Sequence, residues 1–148
     1  MSQLALMGFD ANMTLGHTKG VDILVSDPKS NKMFKLEVKT RYNQPLINST
    51  FFGRNLEWHM SSKNEIADKN LFYCFVDIAK DTNIFRFFIV SSGIVARYVK
   101  ERHYTYLNAH PKVKNTDLRF FRLAVDDVLV SFPKLMAEKF ENNWSFNQ

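Results

Sequence analysis

The chain has only one cysteine among its 148 residues, and this shortage limits the kinds of site that it can build. A single thiol forms neither a disulfide within the chain nor a cysteine-rich zinc site. Cys74 lies inside an apolar run, which favours a small buried side chain. The absence of a disulfide framework is typical of a reducing, intracellular setting, so we expect a cytoplasmic protein.

Long hydrophobic runs are also missing. The longest apolar stretches, residues 71–79 and 85–90, are too short and too interrupted for a membrane-spanning helix, so we expect no membrane association. Residues 1–8 lack the charged start and the apolar run of a signal peptide. No repeat or low-complexity tract is present. With 45% hydrophobic residues, residues 1–148 predict one globular domain with a sizeable core.

The positive charge of the chain is concentrated in one segment. The formal net charge is +5, and residues 97–122 alone hold seven basic residues against two acidic ones, so the rest of the chain is neutral. Five aromatic residues are interleaved with these bases. Clustered bases neutralise phosphates, and aromatic rings stack on unpaired bases. A solvated helix face above core aromatics would give the same pattern, so the segment is compatible with a nucleic-acid-binding surface and with ordinary packing.

Two strand-like runs, residues 21–25 and 34–39, flank a turn-rich segment, which is typical of a β-hairpin. If Asp27 pairs with Lys32, every facing pair has residue numbers that sum to 59. Asp22 then lies opposite Glu37, with Cβ atoms about 5 Å apart. Side chains alternate along a strand, so Asp22 and Glu37 share one face with Lys39. The opposite face is apolar and consists of Ile23, Val25, Phe34, Leu36 and Val38.

Two carboxylates and an ammonium group on one face of the hairpin are typical of a metal-dependent catalytic site. Carboxylates this close repel unless a cation neutralises them. Mg²⁺ is typically held by one or two carboxylates, with water and phosphate oxygens completing its shell, and Mn²⁺ could replace it. A neighbouring lysine can orient a water or stabilise charge on a phosphate. The hairpin therefore predicts metal-assisted phosphodiester hydrolysis, and the alternative is a surface hairpin whose Glu37 and Lys39 are merely solvated.

The arrangement resembles the PD-(D/E)XK nuclease superfamily, which has the restriction-endonuclease-like fold. The resemblance covers roughly residues 4–91 and depends on residues 4–9, 20–25 and 36–40. It implies an α/β fold with a mixed central β-sheet flanked by helices. It also implies metal binding by Asp22 and Glu37 and a catalytic role for Lys39.

The chain departs from this family pattern at two points. Val21 stands where the motif has proline, which alters little of the chemistry. Many members carry an acidic residue on the first helix, but residues 1–8 contain none, so we expect a truncated first helix. The loss of that acid would weaken a metal site.

The rest of the sequence predicts further elements of such a fold. We expect the following: a helix within Leu56 to Asn70, capped by Ser61 or Ser62; a doubly covered central strand at 71–79; a strand at 84–90; a helix from Ser91 or Ser92 to about Leu107; and a C-terminal extension from about 108, with a strand at 118–125 and a short helix after Pro133.

Basic side chains near the hairpin and in the charged segment are candidates for contacts with a nucleic-acid backbone. The eight candidates are Lys19, Arg41, Arg54, Arg97, Lys100, Arg102, Lys112 and Lys114.

These patterns favour a metal-dependent endonuclease-type domain that hydrolyses DNA, of restriction, repair or junction-resolving type. One alternative is a catalytically degenerate nucleic-acid-binding module of the same fold. Another is a protein-interaction scaffold that uses residues 97–122. Cutting both strands of a duplex needs two sites, so a homodimer would be compatible with the first hypothesis.

Overall fold

The computed structural model describes residues 1–15, 20–49, 53–80, 82, 84–128, 132 and 134–147. The helices are α1 (Ser2–Leu6) and α2 (Ser92–Ala109), with single 3₁₀ turns at Ser62–Glu65 and Ala137–Lys139. The strands are β1 (Asp10–Met13), β2 (Ile23–Asp27), β3 (Lys32–Tyr42), β4 (Ile47–Ser49), β5 (Gly53–Ser61), β6 (Leu71–Ile78), β7 (Phe85–Ser91) and β8 (Leu118–Ala124).

The central sheet has five strands in the order β1-β2-β3-β6-β7. The pair β3–β6 is parallel, and the other neighbouring pairs are antiparallel. The sheet is therefore mixed, with α1 and α2 beside it, which confirms the predicted α/β class. β6 lies between β3 and β7, and its residues 72–76 are all buried, as expected for a strand covered on both faces.

The hairpin register is the predicted one for the five residues of β2, Ile23–Asp27. Asp27 pairs with Lys32, Val25 with Phe34 and Ile23 with Leu36, so that each pair sums to 59. Phe34, Leu36 and Val38 of β3 pack in the apolar cluster on one face of the sheet, because alternate residues of a strand point to the same side.

One face of the central sheet carries an apolar cluster that includes Ile23, Val25, Leu36 and Phe72. Leu4 of α1 covers this cluster from the amino-terminal side. Phe146 covers it from the carboxyl-terminal side, where its ring stacks on Phe34 with centroids 5.2 Å apart.

The other face is covered by α2 and by a second sheet of three strands in the order β4-β5-β8. β5 buries Leu56, Trp58 and Met60 against β6 and β7. The Trp58 Nε1–H group donates to the carbonyl of Val76 at 3.1 Å, which ties the two sheets together.

The helix expected within Leu56 to Asn70 is wrong. Residues 53–61 form a strand that pairs with β8, and only the turn Ser62–Glu65 is helical. The Ser61 N–H group donates to Asn64 Oδ1 at 2.8 Å, so a local cap exists, but it closes one turn only. The alternation of buried Leu56, Trp58 and Met60 is the strand period, and pairing with β8 satisfies it.

The later elements agree with the sequence predictions to within two residues at the termini of β6, β7, α2 and β8. Pro133 itself lies outside the described residues, and a short 3₁₀ turn follows it at Ala137–Lys139. Among the helices of the described chain, none combines the length and apolar character needed to cross a membrane.

Candidate active site

A cleft of about 510 Å³ opens beside the polar face of β3. β3 and the start of β6 form one wall, and the segment from Ser61 to Asp68 forms the other. Three lysines line the cleft, together with two carboxylates. These charged residues are Lys35, Glu37, Lys39, Lys63 and Asp68.

Glu37 and Lys39 meet in this cleft. Both are odd-numbered residues of β3, so the strand places them on the same side. Lys39 Nζ lies 2.6 Å from Glu37 Oε1, which is a close ion pair. Glu37 is largely buried, with 8% of its surface exposed, whereas the Lys39 side chain is 32% exposed. The carboxylate therefore lies deep in the cleft and the ammonium group lies nearer to solvent.

Asp22 is fixed immediately beside this pair. Its backbone N–H donates to the carbonyl of Leu36 at 2.9 Å, and because these residue numbers sum to 58, the chain leaves the hairpin register at Asp22. The predicted facing pair of Asp22 and Glu37 is therefore not part of the ladder, which ends at Ile23 and Leu36. Its carboxylate Oδ2 accepts the backbone N–H of Val38 at 2.6 Å. Val38 is the residue between Glu37 and Lys39, so the three predicted residues occupy adjacent positions of the ribbon. The Asp22 side chain is exposed and lies at the margin of the cleft, and it is not among the described lining residues.

The loop before Asp22 approaches the Glu37 carboxylate closely. Gly20 has a φ of +76°, a left-handed conformation that favours glycine. A Cβ atom at this position would lie 3.5 Å from Glu37 Oε2. The backbone therefore passes beside the carboxylate at ordinary van der Waals distance, and it is the left-handed φ that favours glycine here.

Asp68 is a cleft residue that the sequence analysis missed. It forms an ion pair with Lys35, with Nζ and Oδ2 2.9 Å apart. The pKa of Asp68 is lowered, first by the N–H of Asn70 and then by the hydrogen bond from Lys35. The Asp68 N–H donates to Ser92 Oγ at 3.1 Å, which links this wall to the start of α2. No motif spacing connects Asp68 with Glu37, so only the fold reveals their proximity.

Tyr73 is the direct β6 neighbour of Glu37 and also lines the cleft. Burial raises the pKa of Tyr73 to about 12, and the charge of Glu37 and a hydrogen bond to it act in the same direction. Asn64 Nδ2 donates to the Tyr73 hydroxyl at 2.8 Å, which opposes this rise. The phenol therefore remains protonated near neutral pH and supports the Glu37 carboxylate.

The donor set suits a hard cation that keeps much of its own water. Asp22 and Glu37 supply carboxylate oxygens, and Mg²⁺ is commonly held by one or two carboxylates plus water and phosphate oxygens. No group of three or more His, Cys, Asp or Glu side chains placed to hold a metal occurs within the described ranges. A metal here would therefore depend on oxygens from water or from a substrate.

Two predicted nucleic-acid contacts are buried, which corrects the surface positions expected for them. Arg41 is 2% exposed; its Nε lies 3.0 Å from Asp77 Oδ1, and its guanidinium donates to the carbonyls of Gln44 and Pro45. Arg41 is thus a structural residue that faces inward. Arg102 is 5% exposed and packs over the Phe120 ring, so it is not on the open surface of α2.

The charged segment 97–122 contains two further buried bases. Arg119 forms an ion pair with Glu65, and Arg122 forms one with Glu57. These partners lie outside the segment, so part of its excess charge is neutralised within the fold. Tyr98 and Phe121 are also buried in the core, as the packing interpretation predicted for such aromatics.

The other predicted contacts are on the surface where the structure describes them. Exposed positions are held by Arg54, Arg97, Lys100, Lys112 and Lys114. Arg54 Nε lies 3.9 Å from Asp126 Oδ2, which is a long and exposed ion pair. Lys19 lies outside the described residues. Contact of these side chains with nucleic acid stays a prediction.

Comparison with known proteins identifies no family. No protein-family model matches the chain, and no curated protein is similar to it by sequence. Among solved structures, the bacterial homing endonuclease I-Ssp6803I is similar in fold, at 13% identity and a TM-score of 0.48. The superposition covers 97% of this chain and 81% of that one. A likeness this distant assigns neither a family nor an activity.

Proposed function

We propose that the cleft beside β3 hydrolyses phosphodiester bonds of nucleic acid, with DNA as the substrate, in a reaction that depends on a divalent cation. The observation that supports this proposal is the close ion pair of Glu37 and Lys39 in the cleft, with Asp22 at its margin. Lys39 Nζ lies 2.6 Å from Glu37 Oε1, and Asp22 is hydrogen-bonded to the N–H of the residue between them. Two carboxylates beside an ammonium group are the minimum set of side chains for metal-assisted phosphodiester hydrolysis.

The charge of the cleft also suits an anionic substrate. Lys35, Lys39 and Lys63 line it against the carboxylates of Glu37 and Asp68, so its charged side chains are positive by one. A phosphodiester that enters would meet Lys39, whose side chain is one-third exposed. An ammonium group at this point can donate hydrogen bonds to a phosphate oxygen or to an attacking water.

Asp22 and Glu37 are the residues that would hold Mg²⁺ or Mn²⁺. A bound divalent cation supplies a Lewis acid that neutralises charge on the phosphate. Around it, the Val38 N–H fixes the orientation of the Asp22 carboxylate, and Tyr73 supports Glu37 from the neighbouring strand. The Lys39 ammonium group orients the water and balances the charge that develops on the phosphate.

Cleavage of supercoiled plasmid, with Mg²⁺ and then with EDTA, tests the proposal. Glu37→Gln and Lys39→Met should each lower the nicking rate roughly 10²-fold or more, since each removes a group that acts on the reacting atoms. Matched controls are Glu138→Gln and Lys32→Met, which change exposed residues outside the cleft. Undiminished nicking in Glu37→Gln would remove Glu37 from the mechanism.

One observation favours a binding module without turnover. The Glu37–Lys39 ion pair neutralises the carboxylate without any metal, so a cation is not needed to make the site stable. Such a protein would bind DNA equally well in Mg²⁺ and in EDTA and would cut it in neither. Gel-shift and nicking assays on the same preparation separate the two functions. A third outcome, DNA affinity that is flat between low and moderate salt, would favour a protein-interaction scaffold instead.

A homodimer belongs to the same proposal, because two active sites are needed to cut both strands of a duplex. Sedimentation of the protein with and without a duplex would test it. Nicks in one strand only, by a species that sediments as a monomer, would contradict the dimer but not the cleavage.

A further inference from the structure

A second cavity, of about 380 Å³, lies between the second half of α2, the loop at 110–117 and β8. It shares no lining residue with the cleft that contains Glu37 and Lys39. Basic and aromatic side chains dominate its wall. Those on which the argument depends are Arg102, His103, Tyr106, Lys114, Phe120 and Arg122.

Both arginines that line this cavity are buried. Arg102 is 5% exposed and Arg122 is 8% exposed. Arg122 Nε lies 2.5 Å from Glu57 Oε2, so β5 supplies a counter-charge on one side. Arg102 lies over the Phe120 ring, with its guanidinium carbon 5.0 Å from the ring centroid. A guanidinium on an aromatic face is partly stabilised there, and its planar fork keeps a fixed orientation.

The two guanidinium groups are close enough to affect each other. The pKa of Arg102 falls to about 10, first because of burial and then because of the positive charge of Arg122. An anion in the cavity would reduce the repulsion between the two guanidinium groups.

The balance of charge points the same way. Arg102, Arg122 and Lys114 bring three positive charges to the wall, and the Glu57 carboxylate, which is outside the lining, contacts Arg122 and also acts on Arg102. No Asp or Glu belongs to the described lining of this cavity. The loop that carries Lys114 is tied to α2 by the 2.8 Å hydrogen bond between His103 Nε2 and Asn115 Oδ1. This bond holds the exposed lysine at the mouth.

We propose that this cavity binds a phosphate group, with Arg102 and Arg122 at its base and Lys114 at its mouth. Guanidinium groups match the paired oxygens of a phosphate and are more weakly hydrated than ammonium groups, which suits a buried anion site. The phosphate belongs either to a free small molecule, such as a nucleotide, or to the backbone of a nucleic-acid strand. The site uses none of Asp22, Glu37 and Lys39, so it does not depend on the proposed hydrolysis.

Calorimetric titration of the full chain tests the site, with inorganic phosphate and a short single-stranded oligonucleotide as probes at constant ionic strength. Lys114→Met should weaken binding roughly tenfold, as expected for loss of a charged hydrogen bond. Lys29→Met is the matched control, since Lys29 is exposed in the turn between β2 and β3 and does not line the cavity, and it should leave phosphate affinity unchanged.

A second pair of variants examines the base of the cavity. Arg102→Gln should abolish phosphate binding, whereas Lys80→Gln, a change of an exposed residue outside the cavity, should not affect it. Circular dichroism checks that both variants are folded. If Arg102→Gln is unfolded, the phosphate affinity of Lys114→Met relative to its control tests the proposal. Glu37→Gln should bind phosphate normally even if it no longer nicks DNA, which separates this site from the cleft.

The two probes distinguish the sources of the phosphate. Binding of both, with both weakened in Lys114→Met, supports a site for free phosphate as well as for a strand. Binding of the oligonucleotide alone, weakened in Lys114→Met but not in Lys29→Met, assigns the site to a strand backbone. If neither probe binds in a manner that depends on Lys114 and Arg102, the proposal is overturned.

Discussion

Arg41 and Asp77 are paired residues of the parallel strands β3 and β6, and their side chains form an ion pair inside the protein, with Nε and Oδ1 3.0 Å apart. Burial lowers the pKa of Arg41, and the charges of Asp77 and Glu57 oppose this effect. The guanidinium also packs near the Trp58 ring, 5.8 Å from its centroid. This pair therefore joins the central sheet to β5.

We expect Asp77→Ala to lower the free energy of unfolding by about 3–5 kcal/mol, because it leaves the Arg41 charge buried without its closest counter-charge. Replacing both residues, as Arg41→Met with Asp77→Leu, should recover much of this loss. Urea unfolding measures both. The half-exposed pair Lys35–Asp68 is the comparison, and Lys35→Met should cost at most about 1 kcal/mol. If Asp77→Ala and Lys35→Met lower the free energy of unfolding equally, burial does not make the Arg41–Asp77 pair more important for stability than the half-exposed pair.

Two substitutions of Asp22 should separate its structural role from its chemical role. Asn retains an oxygen that can accept the Val38 N–H, whereas Ala does not. We expect Asp22→Ala to cost roughly 0.5–1.5 kcal/mol of stability and Asp22→Asn to cost less. Both should lose Mg²⁺-dependent nicking, because neither retains a carboxylate. Nicking that survives in Asp22→Asn would show that the hydrogen bond alone is what matters.

The Cys74 thiol should be unreactive in the folded protein. It is 4% exposed, and burial raises its pKa from 9.0 to about 12. At pH 8 the reactive thiolate fraction then falls roughly 10³-fold, before any effect of access is added. Labelling with iodoacetamide in buffer and in 6 M urea measures this difference. Rapid labelling of the folded chain would show that the apolar face of the sheet opens readily.

Acid should weaken the attachment of the carboxyl-terminal segment to β7. Arg86 donates from Nε and Nη2 to the two oxygens of Glu141, each at 2.8 Å. The hydrogen bond from Arg86 lowers the pKa of Glu141 below its ordinary 4.5. This contribution is thus complete above about pH 4.5 and is lost as the pH falls through the lowered value.

The Glu141→Gln variant measures this effect. Because both side chains are about one-third exposed, we expect solvent screening to limit the difference from the original chain to about 1 kcal/mol or less at pH 7, and it should be smaller at pH 3. Urea unfolding at the two pH values checks it. A difference that grows with acid would contradict the sign of the shift.

The exposed bases of α2 give a salt-dependent prediction. If Arg97 and Lys100 each contact a phosphate of duplex DNA, the double change to Gln should reduce the slope of log K against log salt by roughly 0.9 for each contact. Fluorescence anisotropy at four salt concentrations measures it. An unchanged slope would place DNA elsewhere on the surface.

The hairpin could be predicted from the sequence because its determinants are local. A turn-forming segment and two runs with period two fix the register of Ile23–Asp27 against β3, and alternation within β3 puts Glu37 and Lys39 on one face. The facing pair of Asp22 and Glu37 was predicted by extending this register, which the structure ends at Ile23. The second sheet could not be predicted in this way. Leu56, Trp58 and Met60 alternate as a strand does, but a capping signature nearby favoured a helix, and the β8 partner is about 60 residues further along.

Local sequence patterns also could not predict which arginines are buried in ion pairs. Arg119 and Arg122 find their carboxylates 54 and 65 positions earlier in the chain, and Arg41 finds Asp77 on a parallel neighbour. Arginine in a sequence is equally compatible with a surface contact and a buried ion pair. Only the tertiary pairing of β5 with β8 and of β3 with β6 decides between them.

β3 supports two different surfaces at once, an apolar core on its even-numbered side and a charged row from Lys35 to Arg41 on its odd-numbered side. An inserted or deleted residue within this strand would invert both sides downstream of the change. Extra residues in the exposed turn at 28–31 would leave both in place. Natural variation in chain length should therefore gather at that turn and avoid the strand.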